Sequence, residues 1–332
     1  MPKWWQKYDV SKLWIASSQC TPESTPAASS SAPVKNITST TETTVTTNMS
    51  HQLILEIPVP YKSPGPYLVE YPYEYHFVIN APNNRADRDI IRNTWGGESP
   101  VLDKVVKVFF LLGLRTGDGV AELQEKLLQE SKEHRDLIQS DFLDCYKNLT
   151  IKTMVMMEWL DKYCSQAAYA MKIDSDMFLN LPNLISMLSN TPKTNYLTGL
   201  VAKGSRVSRD QGSKWYLPQE VYPNPRYPPY ALGLGYVLSL DLPKKLVEAS
   251  RHVKAVYIED VYLEWCMKHL GIFLTYPPDW GYFHVVPVPY SRCAYSKIIA
   301  TTTKKDQDRM TLKGQAHTAD LDLKMNTFLP VN

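Results

Sequence analysis

An α/β fold with a mostly parallel sheet is what this sequence predicts, and three observations predict it. Short apolar runs rich in β-branched and aromatic residues recur from residue 75 onward. Segments of helical length and periodicity alternate with them, the pattern of an α/β protein. Two acids, Asp174 and Asp176, directly follow one of the strand candidates. In open α/β sheets the carboxyl end of a strand is where ligands bind.

The elements follow in order. The first strand candidate is YHFVIN (75–80), followed by a helical RADRDIIRNTW (85–95) and a strand-like VVKVFFLLG (105–113). Two helical segments, GVAELQEKLLQESKEH (119–134) and TMVMMEWLDKYC (153–164), precede the strand candidates YAMKI (169–173) and YLTGLV (196–201). Helices are then predicted over LPKKLVEASRH (242–252) and EDVYLEWCMKHLG (259–271), the latter closed by Gly271 as a C′ residue. IFLTY (272–276) reads as a last strand, and no internal repeat is evident.

The 332 residues allow one large domain or two ordinary ones. With 36 basic and 34 acidic residues the net charge is only +2, and no Lys/Arg-dense run breaks that balance. A nucleic-acid partner is therefore not expected. The five cysteines include no CxxC-type pair, which argues against a zinc site. The stretch from about 16 to 50 is rich in Ser, Thr and Pro and cannot bury a core; it has the composition of an O-glycosylated stalk or of a plain disordered tail. Asn36 and Asn48 head acceptor patterns for N-glycosylation within it, and Asn148 heads a third. No segment reaches the ~20 apolar residues that span a bilayer. The tryptophan-bearing start is broken by Lys3, Lys7, Asp9 and Lys12, so any targeting segment is expected to be atypical or to lie outside this sequence.

Several residues have types and spacings that suit chemistry. A D-x-D turn after a buried strand can hold a hard divalent cation, which takes oxygen ligands and often only one or two carboxylates. The same residues also make an ordinary turn. Arg85, Arg88 and Arg92 share one helix face, fit either for phosphate oxygens or for solvent. On the first reading, Arg92→Ala should raise the KM for a phosphate-bearing substrate. Glu259 and Asp260 open a helix, where a carboxylate complements the dipole or serves as a general base. The segment from 213 to 239 is dense in aromatics and glycines. Trp215, Tyr216 and Tyr230 offer flat faces to sugar rings, and Gly233 and Gly235 allow close backbone approach.

Taken in order, IRNTWG (91–96), FFLLG (109–113), DFLDCYKNLTIKT (141–153), MKIDSDMFLN (171–180), SKWYLP (213–218), YPPYALGLGYVLS (227–239) and EDVYLEWCMKHLGI (259–272) resemble glycosyltransferase family 31. The likeness is to its β-1,3-galactosyltransferase and β-1,3-N-acetylglucosaminyltransferase members. It implies a GT-A fold, a UDP-sugar donor, a divalent metal such as Mn²⁺ on Asp174 and Asp176, and Asp260 as catalytic base. The implied reaction is an inverting transfer of a hexose to the 3-hydroxyl of an acceptor glycan on a glycoprotein or glycolipid. Arg88, Arg92, Lys172, Gly233 and Gly235 become candidate donor contacts, and Trp215, Tyr216, Tyr230 and Glu259 candidate acceptor contacts.

The implied organisation is a stem over 1–71, a catalytic domain over 72–310 and a tail over 311–332, with the catalytic domain lumenal at the Golgi membrane. Three positions depart from the family pattern. Ala231-Leu232-Gly233-Leu234-Gly235 stands where galactosyltransferases commonly carry Cys-Ser-Gly-Thr-Gly, and its alanine resembles the N-acetylglucosaminyltransferases. Glu264 replaces a usual glycine, and Thr302 stands where many relatives have a histidine, with His284 as a nearby alternative. Galactose is the favoured donor sugar, N-acetylglucosamine the alternative. A relative that binds without turnover, and a metal-dependent phosphohydrolase, are the competing classes. Release of UDP only in the presence of an acceptor separates transfer from hydrolysis.

Overall fold

The computed structural model describes residues 76–79, 84–97 and 99–303. The stem, with Asn36 and Asn48, and the tail from 311 lie outside them.

The chain builds two neighbouring three-stranded sheets with core packed on both faces. Strands β1 (His76–Ile79), β2 (Val108–Leu114) and β3 (Leu137–Leu143) pair in parallel, in the order β1-β2-β3. Helix α1 (Arg85–Arg92) connects the first two, and α2 (Val120–His134) the next two. After α3 (Leu149–Tyr163), strand β4 (Tyr169–Ile173) runs beside β1. Beyond β4 the pairing is antiparallel, with β7 (Tyr230–Ser239) between β4 and β6 (Leu197–Ala202). The first three-stranded sheet is thus parallel and the second, beside it, antiparallel. A third small sheet joins β5 (Met177–Leu179) to β9 (Ala300–Thr302), and β9 to β8 (Phe283–His284). The remaining helices are α4 (Leu181–Leu188), α5 (Leu242–Ser250), α6 (Glu259–His269) and the short α7 (Arg292–Tyr295).

Side-chain alternation along the strands divides the core. From β2, Phe109 and Leu111 pack toward α3, α5 and α6, while Phe110 and Leu112 pack with Ile91 and Leu127 on the other face. From β7, Tyr236 and Leu238 face the first cluster and Val237 the second. A strand flanked on both sides must be apolar at every position, which is why β2 reads as an unbroken hydrophobic run.

Gly271 follows the last turn of α6 with φ +68°, as its C′ placement predicts. IFLTY forms no strand. Its Thr275 N–H donates to the Leu197 carbonyl at 2.9 Å.

Candidate active site

The site is assembled where β4 ends. Because β7 runs antiparallel to β4, the first half of β7 extends past Ile173 and lies beside the turn that follows it. Asp174 N–H donates to the Leu234 carbonyl at 2.9 Å, and the chain turns through Ser175 and Asp176 into β5. Asp174 is half-buried and Asp176 exposed. The far end of the chain braces this turn. β9 pairs with β5 so that Thr302 lies opposite Met177, and both N–H and Oγ1 of Thr303 donate to the Asp176 carbonyl at 2.8 Å. Thr302 therefore sits next to the turn, while His284 lies on the far side of β9 with Nε2 at 2.7 Å from the Gly281 carbonyl.

Helix α6 packs against β7 and brings its first turn to Gly233. Asp260 Oδ2 accepts from Gly233 N–H at 3.0 Å, and its Oδ1 accepts from Val261 N–H at 2.9 Å. The carboxylate thus satisfies a first-turn amide and is aimed at the strand ends at the same time, so the dipole and base readings coexist. Burial raises its pKa, and the two backbone hydrogen bonds oppose that.

Lys172 connects the two halves. Its Nζ lies 2.6 Å from Asp174 Oδ1 and 3.6 Å from Glu259 Oε1, and it donates to the Gly233 carbonyl. Burial works against its charge, but Asp174 and Glu259 outweigh that and raise its pKa. This ammonium is committed to the protein. Its expected donor-contact role is corrected to positioning.

Glu259 also departs from expectation. The residue is only 6% exposed and its carboxylate lies against Gly233. Its Oε2 accepts from Thr153 Oγ1 at 3.2 Å and Tyr236 OH at 3.4 Å. A Cβ on Gly233 would sit 2.5 Å from Glu259 Oε1, so a side chain there would displace this carboxylate. At Gly235 a Cβ would meet Met171 Cε at 3.5 Å, an ordinary contact that imposes no such requirement.

Burial pushes Glu259 up to about 7 from 4.5, against the pull of Lys172 and with the help of Asp260 and Asp174. The folded chain then holds more protons than the unfolded one between those values, so this group's contribution to stability falls as pH rises through that window. Urea midpoints without divalent cations should therefore decline from pH 5 to 7, and decline less for Glu259→Gln. Equal slopes would show that Glu259 does not titrate there.

Two of the three arginines are likewise turned inward, while Arg85 stays exposed and pairs with Glu133. Arg88 is 1% exposed and bonds Glu130 through Nε (2.7 Å) and Nη2 (2.6 Å). Arg92 bonds Asp136 (2.6 Å through Nε), Glu130 (2.7 Å) and Asp89 (2.7 Å). Both guanidinium groups are occupied by carboxylates, so the phosphate-contact expectation is corrected to an internal ion network.

On the other side of Asp260 the aromatic residues gather. Tyr146, just ahead of α3, has its pKa raised to about 12, by burial first and then by the Asp260 charge. Lys214 Nζ lies 5.2 Å from the Tyr146 ring centre and 4.8 Å from that of Trp215, which is 54% exposed. Tyr257 OH donates to the Tyr216 carbonyl, and Tyr230 opens β7 close enough to feel the Asp260 charge. Tyr146 and Tyr257 carried no local signal, because what defines them is a long-range contact. Asn148 is half-buried with Nδ2 donating to the Leu143 carbonyl at 2.8 Å, and Thr150 Oγ1 donates to the Val256 carbonyl at 2.6 Å. That sequon is folded into the domain rather than displayed on a loop.

Two carboxylates on a strand-end turn, a carboxylate at a facing helix start and an ammonium beside them form an arrangement that could serve general-base chemistry next to a cation. The Galactosyltransferase family model matches residues 86–278. The chain is 38% identical to human (Homo sapiens) β-1,3-galactosyltransferase 2 over 254 residues, 70% of this chain and 60% of that protein. It is 37% identical to mouse (Mus musculus) β-1,3-galactosyltransferase 1 over 249 residues, 69% of this chain and 74% of that protein. The chain belongs to the Galactosyltransferase family. The match spans less than two thirds of the β-1,3-galactosyltransferase 2 sequence. Among solved structures, galactosyltransferase LgtC with donor and acceptor sugar analogues overlaps at TM-score 0.39 and 13% identity, covering 73% of this chain and 95% of that one.

No helix among the described residues is long and apolar enough to cross a membrane. Nor do those residues bring three His, Cys, Asp or Glu side chains together as a ready-made metal cage. The donor set still fits a cation completed by substrate. Asp174 and Asp176 offer carboxylate oxygens at an accessible turn, and three carboxylates (Asp174, Glu259, Asp260) act on the Lys172 ammonium. Mg²⁺-like ions characteristically use one or two carboxylates together with substrate phosphates.

Proposed function

We propose that this chain is an inverting GT-A glycosyltransferase that moves galactose from UDP-galactose to the 3-hydroxyl of an acceptor glycan, giving a β-1,3 linkage. The observation that carries it is the continuous contact from Asp174 through Lys172 and Gly233 to Asp260. That contact supports a reading in which the leaving group sits on the Asp174 side and the base on the Asp260 side of one strand end. N-acetylglucosamine is the alternative donor sugar, and the Golgi lumen the expected compartment.

In this reading Asp260 takes the proton of the acceptor hydroxyl as its oxygen attacks the anomeric carbon. The bond to the diphosphate breaks on the opposite face, UDP leaves with the electron pair, and configuration inverts. Gly233 N–H and Val261 N–H hold the carboxylate in place, and its raised pKa makes it a better proton acceptor. Asp174 and Asp176 would hold a divalent cation such as Mn²⁺, which would offset charge on the departing diphosphate. Trp215, Tyr216 and Tyr230 would bound the acceptor side, stacking on sugar faces.

The test is UDP release by the purified protein, with UDP-galactose or UDP-N-acetylglucosamine crossed with β-galactose- and N-acetylglucosamine-terminated acceptors, with and without Mn²⁺. The expected result is turnover that requires both acceptor and metal. UDP release independent of acceptor would identify a hydrolase instead. UDP binding without release would identify a non-catalytic relative.

A further inference from the structure

Lys172 stands between two carboxylates at unequal distances. Its side chain and that of Asp174 leave the backbone two residues apart, on the same side of an extended segment, and its Nζ lies 2.6 Å from Asp174 Oδ1. The second carboxylate, Glu259, comes from helix α6 with Oε1 at 3.6 Å, within ion-pair range but beyond a hydrogen bond. Among the described residues no other carboxylate pairs with this ammonium. The two carboxylates differ in their surroundings. The Asp174 side chain is 43% exposed, whereas those of Lys172 and Glu259 are 5% and 6% exposed. Glu259 Oε2 accepts from Thr153 and Tyr236, but Oε1 is buried with no hydrogen-bond partner among the described residues. A buried oxygen left unsatisfied beside a charged donor is uncommon in a native fold.

We infer that Lys172 is a positioning residue that changes partners, closing on Glu259 when a divalent cation takes Asp174. The inference rests on the reading of Asp174 as a cation ligand and adds how the chain makes that carboxylate available. The ammonium holds Asp174 Oδ1, and a cation at the same carboxylate would compete for that oxygen and repel the ammonium. Lys172 has little access to water, so releasing it with no counter-ion would strand a buried charge, which is strongly destabilising. Glu259 supplies the counter-ion. A shift of about 1 Å would bring Nζ to the ~2.8 Å of a charge-assisted hydrogen bond with Oε1, and the flexible four-carbon stem of a lysine allows it. The Gly233 carbonyl, which accepts from the same ammonium, can serve as the pivot because Gly233 already lies against Glu259.

The test reads Mn²⁺ binding to the purified full chain by electron paramagnetic resonance of the free ion, with UDP present and no acceptor. Glu259→Gln keeps an acceptor oxygen for Thr153 and Tyr236 but offers the ammonium no charge. Mn²⁺ should then bind about 10-fold more weakly, the low end of what outer partners of a metal site contribute. In a Lys172→Met background no ammonium needs a new partner, and the same substitution should change binding by less than about twofold. Losses of equal size in the two backgrounds would overturn the inference, because Glu259 would then act on the cation through its charge alone. Unchanged binding in Glu259→Gln would overturn it too. A crystal structure of the wild type with Mn²⁺ and UDP reads the exchange without any substitution. The expected result is Nζ within about 3.2 Å of Glu259 Oε1 and parted from Asp174. Bound Mn²⁺ beside an intact Lys172–Asp174 pair removes the exchange alone, whereas a wild type that binds no Mn²⁺ removes the metal reading and the exchange with it.

Discussion

Asp260→Asn is expected to lower kcat by about 10²–10⁴-fold, the usual contribution of a positioned general base. The amide keeps the size of the carboxylate and an oxygen that can still accept from Gly233 N–H, so the fold and the Lys172 contacts should survive. UDP affinity, read by calorimetry, should change little, because the proposed reaction puts Asp260 on the acceptor side of the strand end. A variant with near-wild-type kcat would remove Asp260 from the chemistry. One that lost UDP binding as well would show that its role is structural.

The second large effect concerns stability. Glu130 accepts from both Arg88 and Arg92, and both it and Arg88 are 1% exposed. Removing one partner of such a buried pair leaves an uncompensated charge and typically costs about 3–5 kcal/mol. Glu130→Ala should lower unfolding stability by that amount in urea, while Arg88→Met with Glu130→Leu should recover most of it. Arg92→Ala should then act on stability and leave the KM for UDP-sugar unchanged. A raised KM with unaltered unfolding would restore the phosphate-contact role to this face.

The contrast between these residues shows what the sequence made legible. Asp174 and Asp176 were readable because a local event places them: a buried strand ends and a turn begins. Asp260 was readable because a helix start is equally local. The arginines share a face by periodicity, but nothing nearby says what that face meets, since Glu130 and Asp136 lie 38 to 44 residues away. The contact between Glu259 and Gly233 was hidden for the same reason. One looked like an acceptor contact and the other like room for a ligand, and they turn out to fill each other's space. Helix α4 went unread because it spans eight residues with a proline in its first turn, and β9 because three residues carry no period.

The clasp on Asp176 has a consequence for genetics. The family match stops at residue 278, and a premature stop there would spare every acid of the site, its lysine and its base. It would nonetheless delete β9 and Thr303, whose two hydrogen bonds secure the turn between the metal-binding candidates. A reader scoring alleles by motif would pass such a transcript as intact. The protein it encodes would carry all the letters of the site on a hinge with no latch.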